Sequence, residues 1–508
     1  MTKTDSLINL VNSLSKAEKA KFNSLYSGMN NVYLILYGLI DKNRSITSEN
    51  LKQEFLRICP NASFNTAVRY LYSLLLETIV SIHHSPFSQL LEKLNLAEIF
   101  FPRGMYNEAL SILRSVKVEA RRKQQYFLLL LAQRLELDFL IQIDISAISE
   151  RELLSKQLKI NNTMKMVRSI NQISALHELL EHRVATKGQP RNASHKQELN
   201  DLVASELSLV SNTSFESFDI RKRHQLFQSS YLVLTGNAKS ALHSFEELSR
   251  LFDDNKEMWE SAPQYYLMAI EGILRTLRIT HQYAAMKYYL DKLRPITARS
   301  GTAQLHACRI IFLYELLPLI DKGEFKIAVK HIRNNEHGFL AKRQYLNPNL
   351  NAEISLYLAL AFLGNHEFQK AKKSLNRILS EGKNIFSSSQ YRTIRLVYMM
   401  IMFEIHDYAY VDSERRSLKR ELKIEKGGYK TERLMLFFFS NIFNAVSEKQ
   451  KLRIWNKIKE DAEKLQHDPF EAQVLNMFNF VCYLESKLLR KPLGEILRRE
   501  HSTDVDST

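Results

Sequence analysis

The stretch LALAFLGNHEFQKAKKSL, residues 358–375, carries the pattern that decides the fold of this chain. Small and large apolar residues alternate up to Gly364, and after a short polar interval Phe368 is followed by Ala371 and Leu375. This spacing predicts two helices joined by a short turn. The small residues allow the two helices to approach each other closely, and the aromatic side chains fill the space that remains.

The same pattern recurs along the chain in looser form. An early copy, AEIFFPRGMYNEALSIL, occupies residues 97–113. Later copies are centred on Gly236 with Ala241, on Tyr283 with Met286, on Gly323 with Phe325 and Ala328, and on Tyr408 with Val411. The small-residue positions from Ala241 onward follow at intervals of 45, 42, 43 and 40 residues. We therefore predict a series of helix pairs.

These segments resemble the tetratricopeptide repeat family, which pairs two helices in each repeat. The family places a small and an aromatic residue on the first helix, a Gly and an aromatic at the turn, and an Ala early in the second helix. The matching residues are Ala359, Phe362, Phe368, Ala371 and Leu375 in one copy, and Ala97, Phe100, Gly104, Tyr106, Ala109 and Leu113 in another. Ala241 and Ala328 take the same small-residue position in two further copies.

The resemblance covers residues 90–421 and implies an all-α fold, an α-solenoid of antiparallel helix pairs that holds a partner in its groove. It departs from the family in its period, because the family repeat is 34 residues long. The helices or loops are therefore expected to be longer than in a standard repeat.

Composition agrees with a helical protein. Among 508 residues there are 14 glycines and 10 prolines, too few for a fold that depends on many tight turns. The three cysteines, Cys59, Cys308 and Cys482, are far apart and odd in number, which favours reduced, buried thiols. We find no signal peptide and no apolar run near the ~20 residues of a membrane span, so a cytoplasmic protein without a membrane span is predicted.

The chain is predicted to fall into six parts. They are an N-terminal helical region (1–87), degenerate repeat-like pairs (88–185), an exposed loop (186–198), the main array (199–425), basic C-terminal helices with a capping helix at 470–489 (426–497), and a disordered tail (498–508). A helix, a short turn and a second helix at 64–82 are also the order of elements in a helix-turn-helix DNA-binding motif. The second helix carries one cation, Arg69, so we interpret it as a buried packing helix.

No motif for catalysis stands out in the sequence. The nearest metal-type pattern is HELLEH, in which His177 and His182 are five residues apart, whereas a zincin helix needs a spacing of four. Phosphate-binding glycine loops and the nucleophile elbow Gly-x-Ser-x-Gly do not occur. We therefore predict that the protein is not an enzyme and that it holds no cofactor and no metal.

The charge distribution carries the one functional signal. Lys and Arg exceed Asp and Glu by 71 − 55 = 16, and residues 415–460 contain 13 cations and 5 carboxylates, a net charge of +8. A cationic stripe is predicted on a helix from Arg415, Arg416, Lys419, Arg420 and Lys423, extended by Lys426, Lys430 and Arg433, with Val411, Leu418 and Leu422 facing inward. Five further cations surround Trp455: Lys449, Lys451, Arg453, Lys457 and Lys459.

Three interpretations of this basic region stay open. It is a solvated face, a docking surface for an acidic protein or peptide, or a surface for a nucleic-acid backbone. Single-stranded nucleic acid would also need an exposed aromatic ring, and Tyr429 is the candidate. We predict a non-catalytic scaffold that binds a protein partner, with a nucleic-acid-associated regulator as the alternative.

Overall fold

In a computed structural model of the chain, every secondary-structure element of the described residues is a helix, which confirms the all-α prediction. The structure describes residues 2–26, 32–43, 46–82, 85–144, 146, 148–187, 190, 196–211, 217–260, 262–298, 301–381, 388–424, 428–445, 447–466, 468 and 470–505. The α-helices are α1 (Lys3–Ser13), α2 (Lys16–Tyr26), α3 (Val32–Lys42), α4 (Ser48–Ile58), α5 (Phe64–Ile82), α6 (Pro86–Phe100), α7 (Tyr106–Arg122), α8 (Tyr126–Asp144), α9 (Glu150–Lys187), α10 (Asn200–Ser211), α11 (Phe218–Leu234), α12 (Ala238–Asp254), α13 (Lys256–Trp259), α14 (Gln264–Ile279), α15 (Tyr283–Thr297), α16 (Thr302–Asp321), α17 (Phe325–Asn334), α18 (Phe339–Lys342), α19 (Pro348–Gly364), α20 (Phe368–Glu381), α21 (Ser388–Glu404), α22 (Tyr408–Ile424), α23 (Lys430–Asn441), α24 (Glu448–Gln466), α25 (Ala472–Leu475), α26 (Phe480–Leu489) and α27 (Leu493–Val505).

The chain divides into two compact units, residues 1–166 and residues 167–508. The division falls inside α9, and not at the loop expected at 186–198. Most of that expected loop, residues 188–189 and 191–195, lies outside the described residues.

The first unit contains two separate hydrophobic clusters, one from α1–α5 and one from α6–α8. The helix that begins after Ser15 carries the capping box expected from the Ser-x-x-Glu pattern. The Ser15 N–H donates to Glu18 Oε2 at 2.6 Å, and the Glu18 N–H donates to Ser15 Oγ at 3.3 Å. Helix α5 buries a full apolar face against its neighbours, as the packing interpretation of this segment requires.

A charged cluster also joins α6 to α7. Lys93 and Lys123 donate hydrogen bonds to the two carboxylate oxygens of Glu119, at 2.8 and 2.9 Å. The hydrogen bond from Lys93, followed by that from Lys123, lowers the pKa of Glu119 from 4.5 to about 2. The folded unit therefore binds a proton at Glu119 less readily than the unfolded chain does.

This cluster predicts an acid-dependent loss of stability. Because the folded-state pKa is the lower one, the contribution of Glu119 is present above pH 4.5 and is lost as the pH falls from 4.5 towards 2. Glu119→Gln should lower the midpoint temperature of thermal unfolding at pH 7. The midpoints of the variant and the wild type should converge near pH 2, as measured by circular dichroism across a pH series. Glu108→Gln, at an exposed site on the same helix, is the control. A difference in midpoint between the wild type and Glu119→Gln that stays constant across the pH series would refute the prediction.

One turn geometry recurs at seven connections between the described helices of the repeated region. At seven turns of the described residues one residue has a φ between 53° and 80°. The next residue donates its N–H to a carbonyl five positions back, at 2.7–3.2 Å, which is the hydrogen bond of a Schellman turn. The positive-φ residues are Gly104, Gln124, Gly236, His281, Gly323, His366 and His406. In six of the seven turns the following helix begins with an aromatic residue, two positions after the positive-φ residue.

Histidine occupies the left-handed position at three of these turns, His281, His366 and His406. Histidine enters this region more readily than most residues with a Cβ atom. In two of the turns the imidazole Nδ1 lies 3.2 and 2.7 Å from the hydroxyl of the tyrosine two positions later. The turn therefore does not depend on glycine, although the repeat pattern places one there.

Gly364 serves a different purpose from a turn glycine. It is the last residue of α19, and a Cβ atom at this position would lie 2.3 Å from ring atoms of Phe325. Phe325 is 5% exposed and begins α17. The absence of a side chain at Gly364 thus lets α17 and α19 pack closely, which is consistent with their contacts in the fold.

The second unit is held together by one large hydrophobic cluster that extends from Phe218 to Leu497, with a smaller cluster around Leu180 and Phe227. From α11 onward each helix longer than one turn packs against the next such helix, and α14 with α16, α19 with α21 and α21 with α23 also pack as next-but-one neighbours. The small residues of the repeat pattern are fully buried: Ala97, Ala109, Ala241, Ala328, Ala359 and Ala371. Phe368 is half-buried against the large cluster, whereas Tyr106 is 44% exposed and contacts Phe101.

The C-terminal segment differs from the single capping helix expected at 470–489. Only the four residues of α25 are α-helical before α26 begins at Phe480, and α26 packs against α23 and α24. Helix α27 then contacts α16, which lies more than 170 positions earlier in the chain. Since α27 continues to Val505, the tail expected to be disordered from residue 498 is helical over residues 498–505.

Helix α16 is the one described helix that is long and apolar enough to cross a membrane, by length and composition alone. A core helix of a soluble protein passes the same test. In this structure half of the apolar window is buried, and Arg309 in the helix forms ion pairs with Glu271 of α14 and Glu353 of α19.

Candidate interaction surface

The cationic stripe predicted from the sequence lies on α22. Its inward face is Val411, Leu418 and Leu422, all buried, as the helical spacing predicted. The outward face carries four exposed cations, Arg416, Lys419, Arg420 and Lys423, and Arg415 is half-buried.

Part of this stripe is neutralised within the helix. Arg415 Nη2 lies 2.6 Å from Asp412 Oδ1, and Arg416 pairs with the other oxygen of the same carboxylate. The hydrogen bond from Arg415, followed by that from Arg416, lowers the pKa of Asp412. Lys419 and Lys423 have no ion pair among the residues that the structure describes. The later part of the stripe therefore presents the more available charge.

The predicted extension of the stripe does not continue on the same helix. Lys426 lies outside the described residues, and Lys430 begins α23. Lys430 Nζ donates to Asp468 at 2.6 Å, and the Lys430 backbone N–H donates to Glu471 Oε1 at 2.7 Å. Lys430 is thus tied to the segment that precedes α25.

A second basic surface lies between α23 and α24, and we call it the basic groove. It has a volume of about 610 Å³. Its lining is Lys430, Arg433, Leu434, Phe437, Lys457, Ile458, Asp461, Lys464 and Leu465. The structure thereby brings together cations from two separate parts of the basic region, which the sequence could only place on separate helices.

A polar network that the sequence pattern did not indicate lies on α14, α16 and α19. Arg278 donates to both oxygens of Asp321 at 2.7 and 2.8 Å, and to the Tyr357 hydroxyl at 3.3 Å. Arg309, which is 2% exposed, pairs with Glu271 and with Glu353 at 3.1 Å.

Burial and ion pairing act in opposite directions on the charges of this network. Burial lowers the pKa of Arg278, but Asp321 and Tyr357 together raise it above its ordinary value. Burial raises the pKa of Glu353, against the effect of Arg309. The attraction between such paired charges offsets part of the cost of burying them.

The polar network borders a cavity of about 230 Å³. Its lining includes Arg275, Tyr314 and Tyr357, and also Asn476 and Met477 of the C-terminal segment. Three arginines of the network (Arg275, Arg278 and Arg309) face three carboxylates (Glu271, Asp321 and Glu353), so their charges balance. This balance favours a structural role for the network over recognition of a charged ligand.

The structure also places Tyr429 and the HELLEH segment, two features noted in the sequence. Tyr429, the aromatic residue expected beside the cationic stripe, is 3% exposed, so it offers no face for a base to stack on. In HELLEH, burial lowers the pKa of the half-buried His177, whereas His182 is exposed. Across the described residues no group of three or more His, Cys, Asp or Glu side chains is placed to hold a metal ion. The three cysteines are unbridged; Cys482 is buried, and Cys59 and Cys308 are half-buried.

Comparison with protein-family models, with curated proteins and with solved structures finds no match to this chain.

Proposed function

We propose that the helix pairs of this protein stack as an α-solenoid of the tetratricopeptide type. Three observations support the proposal. The same Schellman turn recurs at the intervals of the repeat pattern, the small residues at the helix contacts are fully buried, and several helices pack against their next-but-one neighbour. In a stack of repeats each repeat contacts its neighbours, and these three features are consistent with that arrangement.

We further propose that the protein is a non-catalytic scaffold that binds an acidic protein partner. The observation that carries this proposal is the exposed cationic face of α22, where Lys419 and Lys423 have no ion pair among the described residues. A cluster of available cations attracts an acidic surface and increases the rate of encounter with it. The buried Tyr429 weakens the alternative, a protein that binds single-stranded nucleic acid by stacking.

Reversal of the exposed charge tests this function. The variant Arg416→Glu, Lys419→Glu, Arg420→Glu and Lys423→Glu should weaken capture of the acidic partner by on the order of tenfold or more, because four carboxylates that repel an acidic surface replace four cations. The measurement is affinity capture by the full chain, followed by titration of the recovered partner at two salt concentrations. The matched control reverses four exposed cations of the first unit: Lys16, Lys21, Lys52 and Arg57.

Two outcomes would count against the proposal. If both quadruple variants capture the partner as well as the wild type does, the α22 face is only a solvated surface. If the wild type retains nucleic acid in place of an acidic protein, with a steep dependence on salt, the alternative function replaces this one.

A further inference from the structure

The basic groove between α23 and α24 has an apolar floor. Leu434, Ile458 and Leu465 are 9%, 3% and 4% exposed, and Phe437 is half-buried beside them. The volume of about 610 Å³ lies within the range of about 300–1,000 Å³ that binding pockets occupy. The groove is therefore large enough to hold several side chains of a partner.

The rim of the basic groove carries one sign of charge in excess. Four cations, Lys430, Arg433, Lys457 and Lys464, accompany one carboxylate, Asp461. Lys430 and Lys464 already pair with Asp468 and Glu460.

Two cations of the rim are available to a partner. Arg433 and Lys457 are exposed and have no ion pair among the residues that the structure describes. Lys457 Nζ lies 5.2 Å from the centre of the Phe437 ring, so its charge is held directly above the apolar floor.

The lining residues follow helical spacing on both sides of the groove. On α23 they are Lys430, Arg433, Leu434 and Phe437, at i, i+3, i+4 and i+7; on α24 they are Lys457, Ile458, Asp461, Lys464 and Leu465, at i, i+1, i+4, i+7 and i+8. Each helix thus presents one face along about two turns, or roughly 10 Å. A groove of this form accommodates a helix that inserts apolar residues at the same spacing.

We propose that the basic groove binds an acidic amphipathic helix of a protein partner. Apolar side chains of that helix occupy the floor between α23 and α24, and its Asp and Glu side chains pair with Arg433 and Lys457. This inference rests on the proposed scaffold function and adds the site and the chemistry of the bound segment. A nucleic-acid backbone would use the cations but not the apolar floor, and Lys457 covers the one aromatic ring of the floor.

The test uses the full chain and a fluorescein-labelled synthetic peptide of about 16 residues, long enough to form a helix on binding. Its leucines stand at i, i+4 and i+7, and Glu fills the flanking positions. A scrambled peptide of the same composition loses the apolar face but keeps the charge. We expect the designed peptide to bind, as measured by fluorescence anisotropy, and the scrambled peptide to bind at least tenfold more weakly.

Variants of the protein locate the binding site. Arg433→Glu with Lys457→Glu should weaken binding of the designed peptide at least tenfold, because both available rim charges become repulsive. The control, Lys419→Glu with Lys423→Glu, changes the net charge by the same amount but on α22. It should alter the peptide affinity by about twofold or less at 0.15 M salt. Both positions of each pair are exposed, so the fold should persist, and circular dichroism with the unfolding midpoint verifies this.

The possible results separate this inference from the scaffold function. The groove assignment is overturned if the designed peptide does not bind, or if the scrambled peptide binds equally tightly. It is also overturned if the two double variants lose peptide affinity to the same extent. It is overturned as well if a single-stranded oligonucleotide or phosphatidylserine vesicles bind more tightly than the designed peptide and lose that binding in Arg433→Glu with Lys457→Glu. If the partner captured by the wild type is lost on reversal of the α22 charges but retained by Arg433→Glu with Lys457→Glu, the scaffold function stands and the groove inference fails.

Discussion

Replacement of Glu432 by Gln is expected to lower the free energy of unfolding of the second unit by about 3 kcal/mol. Glu432 and Arg392 are 1% and 0% exposed, and Arg392 Nε donates to Glu432 Oε1 at 2.8 Å. Removal of one member of a buried ion pair leaves the other charge in a medium that solvates it poorly, which costs about 3–5 kcal/mol. The lower end applies, because Glu421 remains 3.7 Å from Arg392 Nη1.

The second oxygen of Glu432 adds to this effect. It accepts the Tyr429 backbone N–H at 2.9 Å, next to the first turn of α23. Gln keeps the size of the side chain and one oxygen, so the substitution removes the charge without opening a cavity. The effect on stability therefore reports the ion pair together with the Tyr429 hydrogen bond, and not the packing of the core.

Urea denaturation, followed by circular dichroism, measures the change. The control is the same substitution at Glu460, an exposed residue that pairs with Lys464 on the surface of α24, and it should leave the midpoint nearly unchanged. If Glu432→Gln and Glu460→Gln unfold at the same urea concentration, the buried pair does not contribute as proposed here.

The sequence predicted the helices well where burial follows a regular spacing. Val411, Leu418 and Leu422 fall on one face of α22, so the exposure of Lys419 and Arg420 could be read directly from the periodicity. The buried alanines were found in the same way, because close contact of two helices requires a small side chain at a fixed position. These features depend on residues that are near each other in the chain.

Features that depend on distant residues were not predictable in this way. Arg392 and Glu432 are 40 positions apart, and each resembles an ordinary surface charge when its own helix is considered alone. The basic groove likewise needs α23 and α24 side by side before Arg433 and Lys457 share one rim. The left-handed His366 was missed for another reason, because a glycine two positions earlier, Gly364, offered the more usual turn residue.

Two glycines, Gly323 and Gly494, are in close backbone contact in the second unit. Gly323 has a φ of +68°, and a Cβ atom there would lie 2.6 Å from the backbone Cα and O of Gly494. This is where α27 begins against the turn that follows α16. A left-handed alanine costs about 1–2 kcal/mol, and overpacking against a neighbour costs about 1–3 kcal/mol more. Gly323→Ala is therefore expected to lower the free energy of unfolding by about 2–5 kcal/mol.

Two further glycines separate the contributions of backbone strain and collision. Gly104→Ala carries the strain alone, since its φ is +78° and nothing lies within 4 Å of the added Cβ atom. Gly494→Ala carries the collision alone, because its φ is not positive and its Cβ atom would lie 2.7 Å from the Gly323 carbonyl oxygen. Gly494→Ala should thus cost about 1–3 kcal/mol.

Hydrogen exchange distinguishes a strained but docked α27 from one that has separated from its contact. If α27 detaches, the loss of global stability cannot exceed the free energy with which α27 docks. The amides of residues 495–500 would then exchange faster in Gly323→Ala and Gly494→Ala than in the wild type. In either case Gly323→Ala should unfold at a lower urea concentration than the wild type. Wild-type stability and wild-type exchange in Gly494→Ala would contradict the cost predicted for a Cβ atom at this contact.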